Sequence, residues 1–223
     1  MNDNFAFVDS IYRSRLTLLD ILERRNYDVA MYRKFSPAEA AAAATALPGL
    51  SFTVYKKADA QQDDEKHECQ VRYINNMTRP KLETFFDDIP EERTEYTEVI
   101  VMQQAPIADA HHAIALKQYM KMKDLPTGEK VRAKLRVSFF CMDMIVVNPT
   151  SHVLVPKHEI VPESEHKGLM ASMYITAKSK FPEIKFHIDP ITRCIGAVPG
   201  DIIKITRPSA SAGVAIIYRV CAP

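Results

Sequence analysis

The sequence has no apolar run near the roughly 20 residues that span a bilayer; stretches such as Met144–Val147 are among its longest. The opening Met1-Asn2-Asp3-Asn4-Phe5 lacks the basic n-region and apolar h-region of a secretory signal. Both absences argue against a membrane or exported protein. Cysteine is scarce: Cys69, Cys141, Cys194 and Cys221 stand singly, with no C-x-x-C pair. That pattern predicts reduced, mostly buried thiols in an intracellular protein. There is no excess of one charge either, because 29 Lys and Arg face 28 Asp and Glu for a net +1. Composition therefore makes no global case for nucleic-acid binding. The signatures G-x-S-x-G, Walker A and G-x-G-x-x-G are all missing, and Gly128-Glu129-Lys130 is only the tail of a phosphate loop.

What remains is an ordinary globular composition, 47% hydrophobic and 26% charged over 223 residues. That length accommodates one large domain or two modest ones. Charge is unevenly spread, net −2 over residues 1–149 and net +3 over 150–223. The balance changes at Asn148-Pro149-Thr150-Ser151, the expected linker, which predicts domains at 1–148 and 149–223.

Val8, Ile11, Tyr12, Leu19 and Leu22 share one side of a 3.6-residue helix, with Asn26 as its stop. Ser36-Pro37-Ala38-Glu39 carries an N-cap, a first-turn proline and a capping glutamate. The alanine run behind it predicts a closely packed helix ending near Pro48-Gly49. Ser51–Lys56 and Cys69–Ile74 read as strands around a solvated loop, Asp59–Glu68. Pro80–Ile89 reads as helix, Thr97–Met102 as a buried strand, and Ala108–Met122 as a helix with Ala110, Ala113, Leu116 and Met120 inward. Pro126-Thr127-Gly128 reads as a turn, and Leu135–Cys141 and Met144–Val147 as strand. Together these describe a layered α/β domain. Beyond the linker, Pro162–Lys178 reads as a helix with Leu169, Met170, Met173 and Ala177 on one face. Ile202–Thr206 and Val214–Arg219 form a hairpin around a long loop, Arg207–Gly213, so the second piece is small and α+β.

Candidate chemistry is sparse. His111 and His112 point about 100° apart on a helix, and His152 and His158 have no cysteine nearby, so no metal site is expected. A Mg²⁺-dependent nuclease needs carboxylates and usually a lysine. Asp64-Glu65-Lys66 and Glu183-Ile184-Lys185 fall in different domains, and Glu68-Cys69-Gln70 has glutamine where the lysine belongs. Lys117–Arg136 gathers Lys117, Lys121, Lys123, Lys130, Lys134, Arg132 and Arg136 against Asp124 and Glu129, a patch able to attract a duplex without reading its sequence. The acidic stretch Glu83–Glu98 would repel that duplex.

The C-terminal third carries His152-Val153-Leu154-Val155-Pro156-Lys157-His158, then Pro182-Glu183-Ile184, Asp189-Pro190 and Gly196. There follow Gly200-Asp201-Ile202-Ile203-Lys204-Ile205, Arg207-Pro208-Ser209, Ala212-Gly213 and Tyr218-Arg219-Val220. In this order and spacing they resemble the fifth subunit of eukaryotic nuclear RNA polymerases and its archaeal counterpart. Leu18–Val29 and Val99–Gln104 extend the resemblance to the N-terminal half. The resemblance implies a non-catalytic subunit of a nuclear DNA-directed RNA polymerase, with neither cofactor nor small-molecule substrate. Its N-terminal jaw would be restriction-endonuclease-like, a mixed sheet with flanking helices beside downstream duplex DNA. Its α+β assembly domain would dock on the largest polymerase subunit. A stand-alone nuclease, or an adaptor that has left the polymerase, is the alternative.

Arg207 and Arg219 offer planar donors, Tyr218 offers area and a hydroxyl, and Gly213 permits close approach, which with Pro156, His158 and Ser209 makes a candidate partner interface. Lys117, Lys121, Lys123, Lys130, Arg132 and Lys134 are the DNA-facing candidates. Ile107-Ala108-Asp109-Ala110 stands where many family members carry Thr-Pro-Ser-Ala near DNA, and Asp109 adds a negative charge there.

Overall fold

The computed structural model describes residues 2–57, 67–75, 77, 81, 84–85, 97–124, 130–132 and 135–223, with only the backbone of 2–4, 122–124 and 130–132. The turn expected at Pro126–Gly128 lies outside these residues, as do most of the loop expected at Asp59–Glu68, of the helix at Pro80–Ile89 and of acidic Glu83–Glu98; Glu68 itself opens a strand. The chain divides into two units, Met1–Val147 and Asn148–Pro223. Asn148 Oδ1 accepts from the Thr150 backbone N–H (3.0 Å) and hydroxyl (2.7 Å), holding a 3₁₀ turn at Pro149–Ser151. The whole is mixed α/β, with a mixed four-stranded sheet in each unit.

In the first unit, α1 (Asn2–Arg24) buries Ile11, Leu18, Leu19, Ile21 and Leu22 at i, i+3 and i+4 spacings. Asn26, at φ 64°, takes the left-handed conformation that stops the helix. Ser36 caps α2 (Pro37–Ala43) reciprocally with Glu39, as its sequence predicts. That helix ends earlier than expected, and Pro48 falls instead in a separate 3₁₀ turn, Leu47–Leu50. Its alanines are also less packed than expected: in the run only Ala40 is buried. They act through helix propensity rather than close contact.

Strands β1 (Phe52–Tyr55), β2 (Glu68–Ile74), β3 (Thr97–Gln103) and β6 (Leu135–Cys141) form the first sheet in the order β1-β2-β3-β6. β1 is antiparallel to β2, while β2, β3 and β6 run parallel. Helix α3 (Asp109–Met120) packs on β6. Two short strands, β4 (Met122–Asp124) and β5 (Lys130–Arg132), pair as a separate ribbon. The inward face of α3 is His111 and Ala115, not Ala113 and Met120, which are exposed. A helix rich in alanine all round carries little periodic signal, and the choice of face falls to His111, whose ring centroid lies 5.0 Å from that of Phe139 with the planes 70° apart. Met144–Val147 is not a strand. A 3₁₀ turn spans Met142–Ile145, burying Met142 and Ile145 against α1 and exposing Met144 and Val147.

Among the described residues, charge is buried at two places in this unit. Arg15, 6% exposed, lies 4.7 Å from the Phe35 ring centroid and 4.6 Å from that of Phe52, and donates to Leu50 O at 2.8 Å. Glu98, fully buried on β3, accepts from Arg25 and from the Tyr27 hydroxyl at 3.1 Å, with Arg136 Nε 3.8 Å from Oε1. Glu98 and Arg136 are register partners on β3 and β6. Burial pushes the Glu98 carboxyl up, and the Arg25 and Arg136 guanidinia outweigh it, holding it below the ordinary range.

The second unit's sheet runs β7-β9-β10-β8, with β7 (Lys157–Ile160), β8 (Glu183–Lys185), β9 (Ile202–Ser209) and β10 (Gly213–Ala222). Only β8 pairs parallel. Val161, Phe181, Ile202 and Val220 form a core onto which Leu169 and Met170 of α4 (Glu163–Ser172) pack. α4 is shorter than expected: Tyr174 takes a positive φ of 56°, so Ala177 lies beyond the helix and Met173 is 42% exposed. Asp189 caps α5 (Pro190–Ile195), accepting from Ile191 N–H at 2.8 Å and Thr192 N–H at 3.1 Å, and Gly196 at φ 87° closes it. The β9–β10 connection is not a long loop. The ladder continues to Ser209↔Gly213, leaving three residues in the turn. All four cysteines are buried thiols. No helix among the described residues is long and apolar enough to cross a membrane.

Removing Glu98 takes away the buried carboxylate that faces the Arg25 and Arg136 guanidinia, so Glu98→Ala should destabilise the chain by roughly 3–5 kcal/mol in urea unfolding. His111 supplies a second expectation. Its Nδ1 accepts from Ala108 N–H at 3.0 Å, and burial lowers its pKa. The unfolded chain then binds more protons, so stability is full above the ordinary histidine pKa of about 6.5 and falls as pH drops through the lowered folded value. The urea midpoint should decrease from about pH 7 to about pH 5, and His111→Asn should flatten that component.

Candidate docking surface and nucleic-acid patch

The partner-interface candidates converge on one sheet but not on one face. In the β9–β10 register, Arg207 faces Ala215, Ser209 faces Gly213, and Arg219 faces Ile203. His158 on β7 faces Ile205. Side chains alternate along each strand, so His158, Arg207, Ser209 and Arg219 share one face. Tyr218 lies on the other, packed against the Val161–Val220 core. The structure gives most of them a local task. The His158 ring nitrogen is 2.7 Å from Pro156 O, and Ser209 Oγ accepts from Ala212 N–H at 3.3 Å in the turn. Gly213 turns at φ 69°. Arg219 donates to Glu183 O at 2.8 Å, which ties β10 to the start of β8. Arg207 alone of the two arginines stands exposed on the arm.

A larger exposed feature lies outside these candidates. Val153 and Leu154 are 91% and 83% exposed on a turn held by Val155 N–H to His152 O (2.9 Å) and Leu154 N–H to His152 Nδ1 (3.2 Å). Tyr174 is 95% exposed. The turn presents two adjacent aliphatic side chains to solvent, and its signal in the sequence is Val153-Leu154 lying outside any periodic element.

The basic patch is described only in part. Lys117 and Lys121 are exposed at the end of α3. The β4–β5 ribbon brings the backbone of Lys123 beside Val131, and sets Lys130 opposite Asp124 and Arg132 opposite Met122. Lys134 lies outside the described residues. Arg136 leaves the patch, since it is 3% exposed and turned to Glu98. In the Gln103-Gln104 pair at the end of β3, the buried Gln103 amide donates to Ala105 O (3.0 Å) and Pro106 O (3.2 Å), which fixes the loop into α3.

Along β2, Gln70 donates to Glu68 at 2.6 Å and Arg72 donates to Gln70 at 3.0 Å. The strand where a nuclease would carry acid-x-Lys therefore has a hydrogen-bonded Glu-Gln-Arg ladder; Asp64 lies outside the described residues. Burial raises the Cys69 thiol well above its usual range and leaves it a poor nucleophile. No three His, Cys, Asp or Glu come together as metal ligands among the described residues.

Comparison with known proteins gives this surface a family. A family model described as "RNA polymerase Rpb5, C-terminal domain" matches residues 147–221. DNA-directed RNA polymerase subunit Rpo5 of Methanosarcina barkeri is 52% identical over 69 residues, 31% of this chain and 86% of that protein. The chain belongs to the RNA polymerase Rpb5 family. A Dictyostelium discoideum relative, DNA-directed RNA polymerases I, II, and III subunit rpabc1, is 28% identical over 218 residues, 96% of this chain and 98% of its own length. The Rpb5 match spans nearly all of the second unit and includes every partner-interface candidate, so the family's signature is the sheet just described.

Local and outward roles within the Rpb5 signature separate in a stability measurement. Arg219→Ala should lower unfolding free energy by about 1 kcal/mol through the lost bond to Glu183. Arg207→Ala, at an exposed position, should stay within about 0.5 kcal/mol of the parent in the same urea titration.

Proposed function

We propose that this chain is a non-catalytic subunit of nuclear DNA-directed RNA polymerase. Residues 149–223 dock it on the largest subunit, and residues 1–148 form a restriction-endonuclease-like jaw near downstream duplex DNA. The observation that carries the reading is the Rpb5 match over residues 147–221, joined to relatives named as polymerase subunits. The archaeal relative aligns over 86% of its length with only 31% of this chain, which supports a compact module acting as the common assembly element. The mixed sheet of the first unit, with α3 on β6, is compatible with the proposed jaw. The exposed Val153-Leu154 turn and Tyr174 suit a surface that becomes covered in a complex.

A jaw of this kind would touch DNA through phosphates alone, with Lys117, Lys121, Lys123, Lys130, Arg132 and Lys134 as the cations. Chemistry at the polymerase centre would reside in other subunits.

The test is affinity purification of the full tagged chain with identification of co-eluting proteins. The largest polymerase subunit should be recovered. Leu154→Asp, at an 83% exposed position, should reduce that recovery at least tenfold without shifting the thermal midpoint. Recovery of no polymerase subunit by the parent chain would end this reading.

A further inference from the structure

The hairpin of the second unit is longer than the sheet around it. β7 pairs with β9 only over Ile203–Thr206, and β8 pairs with β10 only over Val220–Ala222. Among the described residues, the arm formed by Arg207–Ser209 and Gly213–Arg219 therefore has no third strand on either side.

The two sides of this arm differ. In an antiparallel ladder, alternate residues turn both backbone groups toward the partner strand or away from it. Val220 N–H donates to Pro182 O at 2.9 Å on the β8 side, so Val220 faces away from β9. By the same alternation Ile216 and Tyr218 also turn their N–H and C=O groups away from β9. On β9 the register sets Pro208 opposite Val214, at an outward position, where proline has no N–H to offer. One side of the arm is thus blunted; on the other the Val214 N–H donates to Ala212 O (2.7 Å) within the turn, and the edge is open at Ile216 and Tyr218.

The sheet's remaining edges are guarded. β7 is short, lies between Pro156 and Pro162, and carries the Lys157–Glu159 ion pair (2.6 Å). β8 has three residues, follows Pro182, and carries the Lys185–Glu183 pair (3.3 Å). Short strands, prolines and charges are the usual protection of a sheet edge. The open edge of β10 has none of them between Gly213 and Tyr218.

Side chains along that edge continue the core outward. Val214, Ile216, Tyr218 and Val220 share one face. Val220 is buried and Tyr218 packs on the core, while Val214 and Ile216 are 58% and 51% exposed. From Ile202 to the last residue the sequence holds Lys204, Arg207 and Arg219 and no acidic residue.

The geometry points to strand addition: the β10 edge from Val214 to Tyr218 receives an extended segment of the polymerase chain on which this unit docks. The incoming segment is apolar at alternate positions, to cover Val214 and Ile216, and carries a carboxylate for the arm's cations. The inference rests on the polymerase-subunit reading and deepens it by naming the mode of contact.

Backbone hydrogen exchange of the full chain, alone and bound to purified polymerase, tests it. In the free chain the Ile216 and Tyr218 amides should exchange quickly and those of Ala215, Ile217 and Arg219 slowly. On binding, Ile216 and Tyr218 should be protected at least tenfold. Ile216→Pro removes an outward N–H and leaves the β9 bonds in place, so it should reduce polymerase retention at least tenfold with an unchanged far-UV spectrum. Unprotected Ile216 and Tyr218 amides in a formed complex overturn strand addition and leave the subunit reading intact. Failure of the parent chain to bind polymerase overturns both. Protection that grows with concentration of the chain alone assigns the edge to a second copy and likewise overturns it.

Discussion

Eight consecutive cross-strand pairs, from Ser209↔Gly213 to Ile202↔Val220, hold the second unit's sheet together. β7 is attached to one side of this ladder and β8 to the other, with no pairing between them. A slip of one residue along β10 would turn Val220 away from Val161, Phe181 and Ile202 and bring Arg219 toward them. Gly213, at φ 69°, pins the register by closing the turn in a conformation that side chains resist. Everything assigned to this unit, from the Arg219 tie to the open edge, follows from that one alignment.

Both units leave apolar side chains exposed, but among the described residues buried Arg and Glu side chains lie in the first unit alone. The first takes charge inside: Glu98 with Arg25 and Arg136, and Arg15 between Phe35 and Phe52. A buried ion group adds little net stability against an apolar equivalent, but it tolerates few alternative arrangements. Here it ties the exit of α1 to β3 and β6. The second unit leaves apolar groups outside, at Val153, Leu154, Tyr174, Val214 and Ile216. Side chains of that kind on rigid turns and strands lose little conformational freedom on association, which suits a surface built for a partner.

Much of this was legible in the sequence, and the exceptions share a cause. The α1 stripe, the Ser36–Glu39 capping box and the positions of strands β2, β3 and β6 were readable because each rests on local periodicity or local chemistry, whereas their parallel pairing is set by the fold. Family membership was legible from the spacing of motif residues in the C-terminal third. Met144–Val147 misled because a short apolar run fits a 3₁₀ turn as well as a strand. Arg136 read as a surface cation because its partner, Glu98, lies on a strand distant in sequence and becomes a neighbour only through the β3–β6 register. The Val153-Leu154 turn was visible as a motif but not as a surface, since exposure depends on what the rest of the fold leaves uncovered.

The alternation of the ladder also explains why the motif residues of the hairpin stand where they do. Pro208 is accommodated because, opposite Val214, it occupies a position that gives β10 no N–H. Moved by one position, the proline would fall where β10 requires a donor, and the arm would lose a rung. Arg207 and Arg219 must then share a face, since both lie an even number of steps from the Ser209↔Gly213 pair, and Tyr218 must take the other. Spacing that looks in sequence like a set of independent identities is therefore a single constraint: it sets which strand edge is closed by proline, which is open, and which face carries the charge.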